Sequence, residues 1–128
     1  MDNQANEKAN QVQGVKRIYN AFFYSWAGLK AAYHYEAAFR QEFVLACLLV
    51  PIACLLPIGI TLRALMVLSV ILVLIVEILN SAIEAVVDRI SQEQHILSKR
   101  AKDMGSAAVF LSLINLLGMW ILGLWGLF

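Results

Sequence analysis

Charge is what this sequence of 128 residues has least of. Only 15 % of the residues are Asp, Glu, Lys or Arg, where a soluble domain usually carries about 25 %. Ten basic and nine acidic side chains leave a formal net charge of +1, which argues against a nucleic-acid-binding tail or a broad electrostatic partner surface. Cysteine is scarce too: Cys47 and Cys54 sit about 10 Å apart along a helix axis, too far for a mutual disulfide, and read as small apolar thiols. There are two prolines and no internal repeat. No GxxxxGK[ST], no GxGxxG and no metal-binding Cys/His cluster occurs, so a Walker-type nucleotide site is excluded at motif level. Residues 1–14 lack an apolar run and are no signal peptide.

In place of charge the chain has hydrophobicity. Apolar residues make up 61 % of it, and they fall in long uninterrupted runs. Phe43 to Leu62 is twenty residues without a charge, Ala64 to Val76 is thirteen more, and Met104 to Phe128 has none. A spanning helix needs about 20 mainly apolar residues. The runs therefore predict an all-α membrane protein with three transmembrane helices, at about 40–57, 61–89 and 103–126, in a single domain over 1–128. Pro57-Ile-Gly59 ends the first span in a tight turn.

Topology follows from the basic residues. Lys8, Lys16, Arg17, Lys30 and Arg40 precede the first span, and Arg89, Lys99, Arg100 and Lys102 lie between the second and third. Only Arg63 lies near the first turn. The positive-inside rule puts the N-terminus and the 90–102 loop in the cytoplasm, and the C-terminus outside. Trp120, Trp125 and Phe128 fit an aromatic belt at the outer face. Residues 1–14 read as a flexible tail. Val15, Ile18, Tyr19, Phe22, Trp26, Leu29 and Tyr33 then recur at helical spacing, predicting an amphipathic interfacial helix over 15–35. A helix packed on a soluble layer is the alternative.

The chemistry lies in the second span. Glu77, Asn80, Ser81, Glu84 and Asp88 occupy one helical stripe with apolar residues between them. Ionisable groups in a spanning helix cost several kcal/mol and mark a functional site by default. Asp88, beside Arg89 at the helix end, reads equally well as a solvated terminal charge. Carboxylates that bind a cation beside a positioned base suit phosphoryl transfer, in which positioning and Mg²⁺ do most of the work. The same stripe also suits a small non-enzymatic proton or cation conduit. Ala64 to Val76 is apolar apart from Ser69, and the third span carries only Ser106, Ser112 and Asn115. The polar site is one-sided, which favours chemistry at a membrane surface over transport.

Four segments resemble the small prokaryotic diacylglycerol kinases, integral membrane lipid kinases: Glu36-Ala-Ala-Phe-Arg-Gln-Glu42, Glu77-Ile-Leu-Asn-Ser-Ala-Ile-Glu-Ala-Val-Val-Asp-Arg-Ile90, Ala101-Lys-Asp-Met-Gly-Ser-Ala-Ala108, and Tyr24-Ser25-Trp26 with Gly28-Leu29. They cover the chain in order from about Arg17 to Trp125, and they look closer to the diacylglycerol branch than to the related undecaprenol kinases. The resemblance implies a homotrimer in the bacterial cytoplasmic (inner) membrane with active sites shared between neighbours. The implied reaction is ATP plus diacylglycerol to ADP plus phosphatidic acid, with Mg²⁺.

By motif position Glu77 is the implied general base, the alternative being a buried acid that only hydrogen-bonds across helices. Asn80 orients Glu77 or the substrate hydroxyl, or else bridges helices. Glu36 and Glu84 are the implied metal ligands. Arg17, Tyr24, Glu93, His95, Lys102 and Asp103 match positions that the family uses around ATP, Lys102 neutralising phosphate. Arg17, Ser25, Trp26, Lys30, Arg40, Glu42, Arg63, Glu77 and Ser106 fall where the family meets its lipid, and Trp26 serves membrane anchoring equally well. His34 reads as interfacial. Four positions depart from the family pattern: Phe22-Phe23, where small residues are expected, Gln94, where an aromatic is, and Ile96, where an acid is.

Overall fold

The computed structural model describes the backbone of residues 2–90 and 95–127, and the side chains of residues 14, 16–90 and 95–127. The described residues form four helices: α1 Asp2–Tyr35, α2 Ala37–Leu55, α3 Ile60–Ile90 and α4 Ile96–Trp125. The last three are long and apolar enough to cross a membrane. Residues 1–35 and residues 36–128 are separate compact units.

In the first unit, α1 starts at Asp2, so the segment read as a flexible tail is helical. Its Gln, Ala, Glu and Lys are good helix formers, and no glycine or proline interrupts them before Gly14. Its aromatic side chains are exposed. Tyr19 and Phe23 pack at 4.6 Å between ring centroids, and the Lys30 ammonium lies 5.5 Å over the Trp26 ring. Ser25 returns its hydroxyl to the Ala21 carbonyl at 2.9 Å.

In the second unit, α3 packs against both α2 and α4. The buried positions explain how. On α2 they are Phe39, Ala46 and Ala53, a seven-residue repeat that keeps one narrow seam toward its neighbour. On α3 they are Met66, Ser69, Val70, Val73 and Glu77, one stripe at helical spacing. Gly105, Ser112 and Gly123 are the buried positions of α4, and such small residues let helix backbones approach closely in lipid. Met66 fills the space left by Gly123, where a Cβ would overlap its sulfur.

The turn between α2 and α3 is built from Pro57 and a charged clasp. Leu56 caps α2, and the Arg63 guanidinium donates from Nη2 to the Leu56 carbonyl at 2.9 Å and to the Ile58 carbonyl at 3.2 Å. Ala53, Ile58 and Met66 form a buried cluster above it, with Leu56, Leu62, Val67 and Trp120 packed around. All three helices are pinned at this end.

The opposite end carries the polar residues. The 19 residues of α2 span about 28 Å, close to the hydrocarbon thickness. Folding back through a tight turn, the start of α2 is level with the part of α3 around Glu77 and Asn80. The 31 residues of α3 and the 30 of α4 run well past that level. The fourth helix begins at Ile96, seven residues before the expected start at 103, which takes Lys99, Arg100 and Lys102 out of a loop and onto a helix. His95 is the reason: it is the N-cap of α4, and its Nδ1 accepts from the Leu97 N–H at 3.2 Å, satisfying one of the free donors of the first turn.

Candidate active site

Glu77 is 4 % exposed, on the face of α3 turned to its neighbours. An isolated carboxylate in that position is costly, and the chain places further acids near it. Glu84 and Glu36 both act electrostatically on Glu77, and Glu77 acts in turn on Glu42. Four carboxyl groups from α2, its N-cap and α3 thus share one neighbourhood. Backbone geometry explains the gathering. Glu36 is the N-cap residue of α2, in extended conformation, and its side chain makes no capping hydrogen bond. Glu42 stands on the second turn of α2, where one carboxyl oxygen, Oε2, is buried without a hydrogen-bond partner. Both are brought level with Glu77 by the length of α2.

Asn80, one turn beyond Glu77, donates from Nδ2 to Oε1 of Glu84 at 3.1 Å. Of the roles open to it in the sequence, the contact it makes is with Glu84. Its Oδ1 is buried and has no hydrogen-bond partner; that atom lies where a Cβ on Gly105 would be. Farther along the stripe, Lys102 of α4 is ion-paired with Asp88 at 2.5 Å and also feels Glu84. Asp88 is exposed, as a solvated helix-end residue would be, and it also makes this interhelical pair. From Glu77 outward the order on α3 is therefore carboxylate, amide, carboxylate and then an acid holding a lysine.

Other expected residues are distributed differently. Asp103 and Ser106 are exposed near the start of α4, and His95 caps that helix. Because its Nδ1 accepts a hydrogen bond, the neutral ring carries its proton on Nε2. Arg40 lies on the first turn of α2, partly buried. Arg63 is fourteen positions from Glu77 on α3, about 21 Å along the axis, at the turn. Arg17, Tyr24, Ser25, Trp26 and Lys30 belong to α1, the separate unit. Glu93 and Gln94 fall outside the described residues. Among those described, no group of three His, Cys, Asp or Glu side chains is set to hold a metal by itself.

One site feature is absent from the sequence reading: Gly105. It sits in the Ala101–Ala108 motif, and its signal is the small-residue spacing of Ala101, Gly105, Ala108 and Ser112, which marks a close helix contact but not the partner.

This arrangement can be set beside known proteins. The sequence model of one family, described as prokaryotic diacylglycerol kinase, matches residues 23–124. A diacylglycerol kinase of Escherichia coli K12 is 57 % identical over 120 residues, covering 94 % of this chain and 98 % of the relative. One from Pseudomonas aeruginosa is 56 % identical over 107 residues, covering 84 % of this chain and 87 % of the relative. The chain belongs to the prokaryotic diacylglycerol kinase family. Among more distant members, a Helicobacter pylori diacylglycerol kinase (strain 26695) is 41 % identical over 116 residues, 91 % of this chain and 87 % of the relative. The match to the prokaryotic diacylglycerol kinase family takes in α2, α3 and nearly all of α4, and so includes the whole carboxylate stripe.

Proposed function

We propose that this protein transfers the γ-phosphoryl group of ATP to the free hydroxyl of diacylglycerol, giving ADP and phosphatidic acid. The observation that carries this is the burial of Glu77 among Glu36, Glu42 and Glu84 at one end of an otherwise apolar helix. The names of the relatives, all diacylglycerol kinases, supply the substrate.

In this reading Glu77 is the general base. It takes the hydroxyl proton as that oxygen attacks the γ-phosphorus, and the bond from phosphorus to the bridging oxygen of ADP breaks. Asn80 holds Glu84 by its Oε1, leaving Oε2 directed away from that bond. Lys102, held by Asp88, meets nucleotide phosphate with the remaining N–H groups of its ammonium. Arg17, Tyr24, Glu93, His95 and Asp103 join the nucleotide, and Ser25, Trp26, Lys30, Arg40, Glu42, Arg63 and Ser106 the lipid, by family position alone.

The donor set fits Mg²⁺ arriving with the nucleotide. Glu36, Glu42, Glu77 and Glu84 are electrostatically coupled, and Mg²⁺ sites typically use one or two carboxylates, with water and phosphate oxygens completing the shell. Glu36 and Glu84 would be the ligands. The metal, when bound, neutralises charge on the transferring phosphate.

The protein is proposed to work as a homotrimer in the bacterial cytoplasmic membrane, N-terminus inside and C-terminus outside. Nine of ten basic residues precede the first span or lie at the connection between the second and third, the segments that the positive-inside rule assigns to the cytoplasm. Little of the apolar part of each spanning helix is buried within one chain, which leaves broad faces for lipid and for other copies.

The test is lipid phosphorylation by purified protein with labelled ATP, with and without Mg²⁺. Diacylglycerol turnover well above that of undecaprenol supports the proposal. A preference for undecaprenol would reassign the substrate, and proton movement in liposomes without phosphate transfer would replace the enzyme with a conduit.

A further inference from the structure

The glycine of α4 that meets Asn80 does more than let two helices touch. Gly105 is buried, and the three nearest atoms to a Cβ built there all belong to Asn80, the first being Oδ1. The clash is thus with the side-chain amide itself. That amide has two ends: Nδ2 is bonded to Glu84 at 3.1 Å, and Oδ1 is buried with no N–H or O–H partner. The direction a Cβ would take is occupied by the glycine Cα–H, a weak donor that an orphaned amide oxygen can accept. The floor under Oδ1 therefore sets where Nδ2 points.

We infer that Gly105 is a positioning residue for the nucleotide-metal end of the site: its missing side chain seats the Asn80 amide so that Nδ2 orients the Glu84 carboxylate. This rests on the proposal that Glu84 is a metal ligand. A methyl group at 105 must displace Oδ1, and a planar amide cannot move one end without moving the other. The cost falls on the bond to Glu84. Glu77 lies a turn away on α3 and its own position is not touched. Groups that orient a metal ligand without touching the metal change affinity by roughly 10- to 100-fold when removed.

The experiment is a cycle of Gly105→Ala and Asn80→Ala in the full-length protein. Two readouts are used: the Mg²⁺ dependence of lipid phosphorylation, and Mn²⁺ binding with a non-hydrolysable ATP analogue, followed by electron paramagnetic resonance. Gly105→Ala is expected to weaken Mn²⁺ binding and raise the Mg²⁺ requirement roughly tenfold, with the KM for diacylglycerol little changed. In the Asn80→Ala background the same substitution should add less than about twofold, because the clashing atom is gone. Equal losses in both backgrounds would overturn the inference, as would a Gly105→Ala protein with unaltered Mn²⁺ binding. If Gly105→Ala fails to fold, folding restored by Asn80→Ala supports the steric relation, and failure in both backgrounds overturns it. A wild-type protein that phosphorylates lipid without Mg²⁺ would instead sink the metal reading, an outcome visible before any variant is made.

Discussion

Lys102 of α4 is ion-paired with Asp88 of α3 while also sensing Glu84 one turn deeper. If Lys102 binds nucleotide phosphate as proposed, Asp88 competes for its ammonium. Lys102→Met should raise the KM for ATP about tenfold and leave the KM for lipid unchanged. Asp88→Asn removes the competitor and should lower the KM for ATP about twofold, the fold surviving because exposed ion pairs contribute little. ATP titrations at fixed diacylglycerol check both.

Glu77→Gln keeps the size of the side chain but replaces the carboxyl group with an amide that cannot take the proton proposed for it. Turnover should fall about a hundredfold to ten-thousandfold, with oligomer size in detergent unchanged. Single-turnover phosphorylation and size-exclusion chromatography decide it, and near-normal turnover removes Glu77 as base.

Chelation should abolish phosphorylation and added Mg²⁺ restore it. Glu84→Gln and Glu36→Gln should each shift the Mg²⁺ half-saturation upward by at least about tenfold. Partial recovery at high Mg²⁺ would distinguish lost ligands from lost fold.

Arg63→Ala removes a charged donor from the Leu56 and Ile58 carbonyls. Destabilisation of about 1.5–3 kcal/mol is expected, read as a lower denaturation midpoint in detergent. A rise in the KM for lipid beyond that of the destabilised fold would carry the lipid contact that family position assigns to Arg63.

The three spans were readable from the sequence because hydrocarbon thickness imposes a length and so few charges interrupt the runs. The stripe from Glu77 to Asp88 was readable because one helix has one periodicity. What lay across two helices was not. The pairing of Asn80 with Gly105 depends on the register of α3 against α4, and that of Asp88 with Lys102 depends on α4 starting early. That start was hidden by His95, a weak capping signal, and by Lys99, Arg100 and Lys102, which resemble loop charges yet favour helix. Glu42 reads as a lipid contact on α2 alone; its nearness to Glu77 comes from the length of α2 and the tightness of the turn after it.

Ser69 and Ser112 are the buried hydroxyls of α3 and α4 among the described residues, and each spends its proton at home, on the carbonyls of Met66 and Val109, at 2.7 Å. Neither hydroxyl is spent on the neighbouring helix, so at these two buried positions α3 and α4 meet by packing and not by a shared proton. Two polar side chains are thereby hidden inside a lipid-facing bundle without fixing how one helix is turned against the other, and that register is left to the fit of small residues such as Gly105 and Gly123.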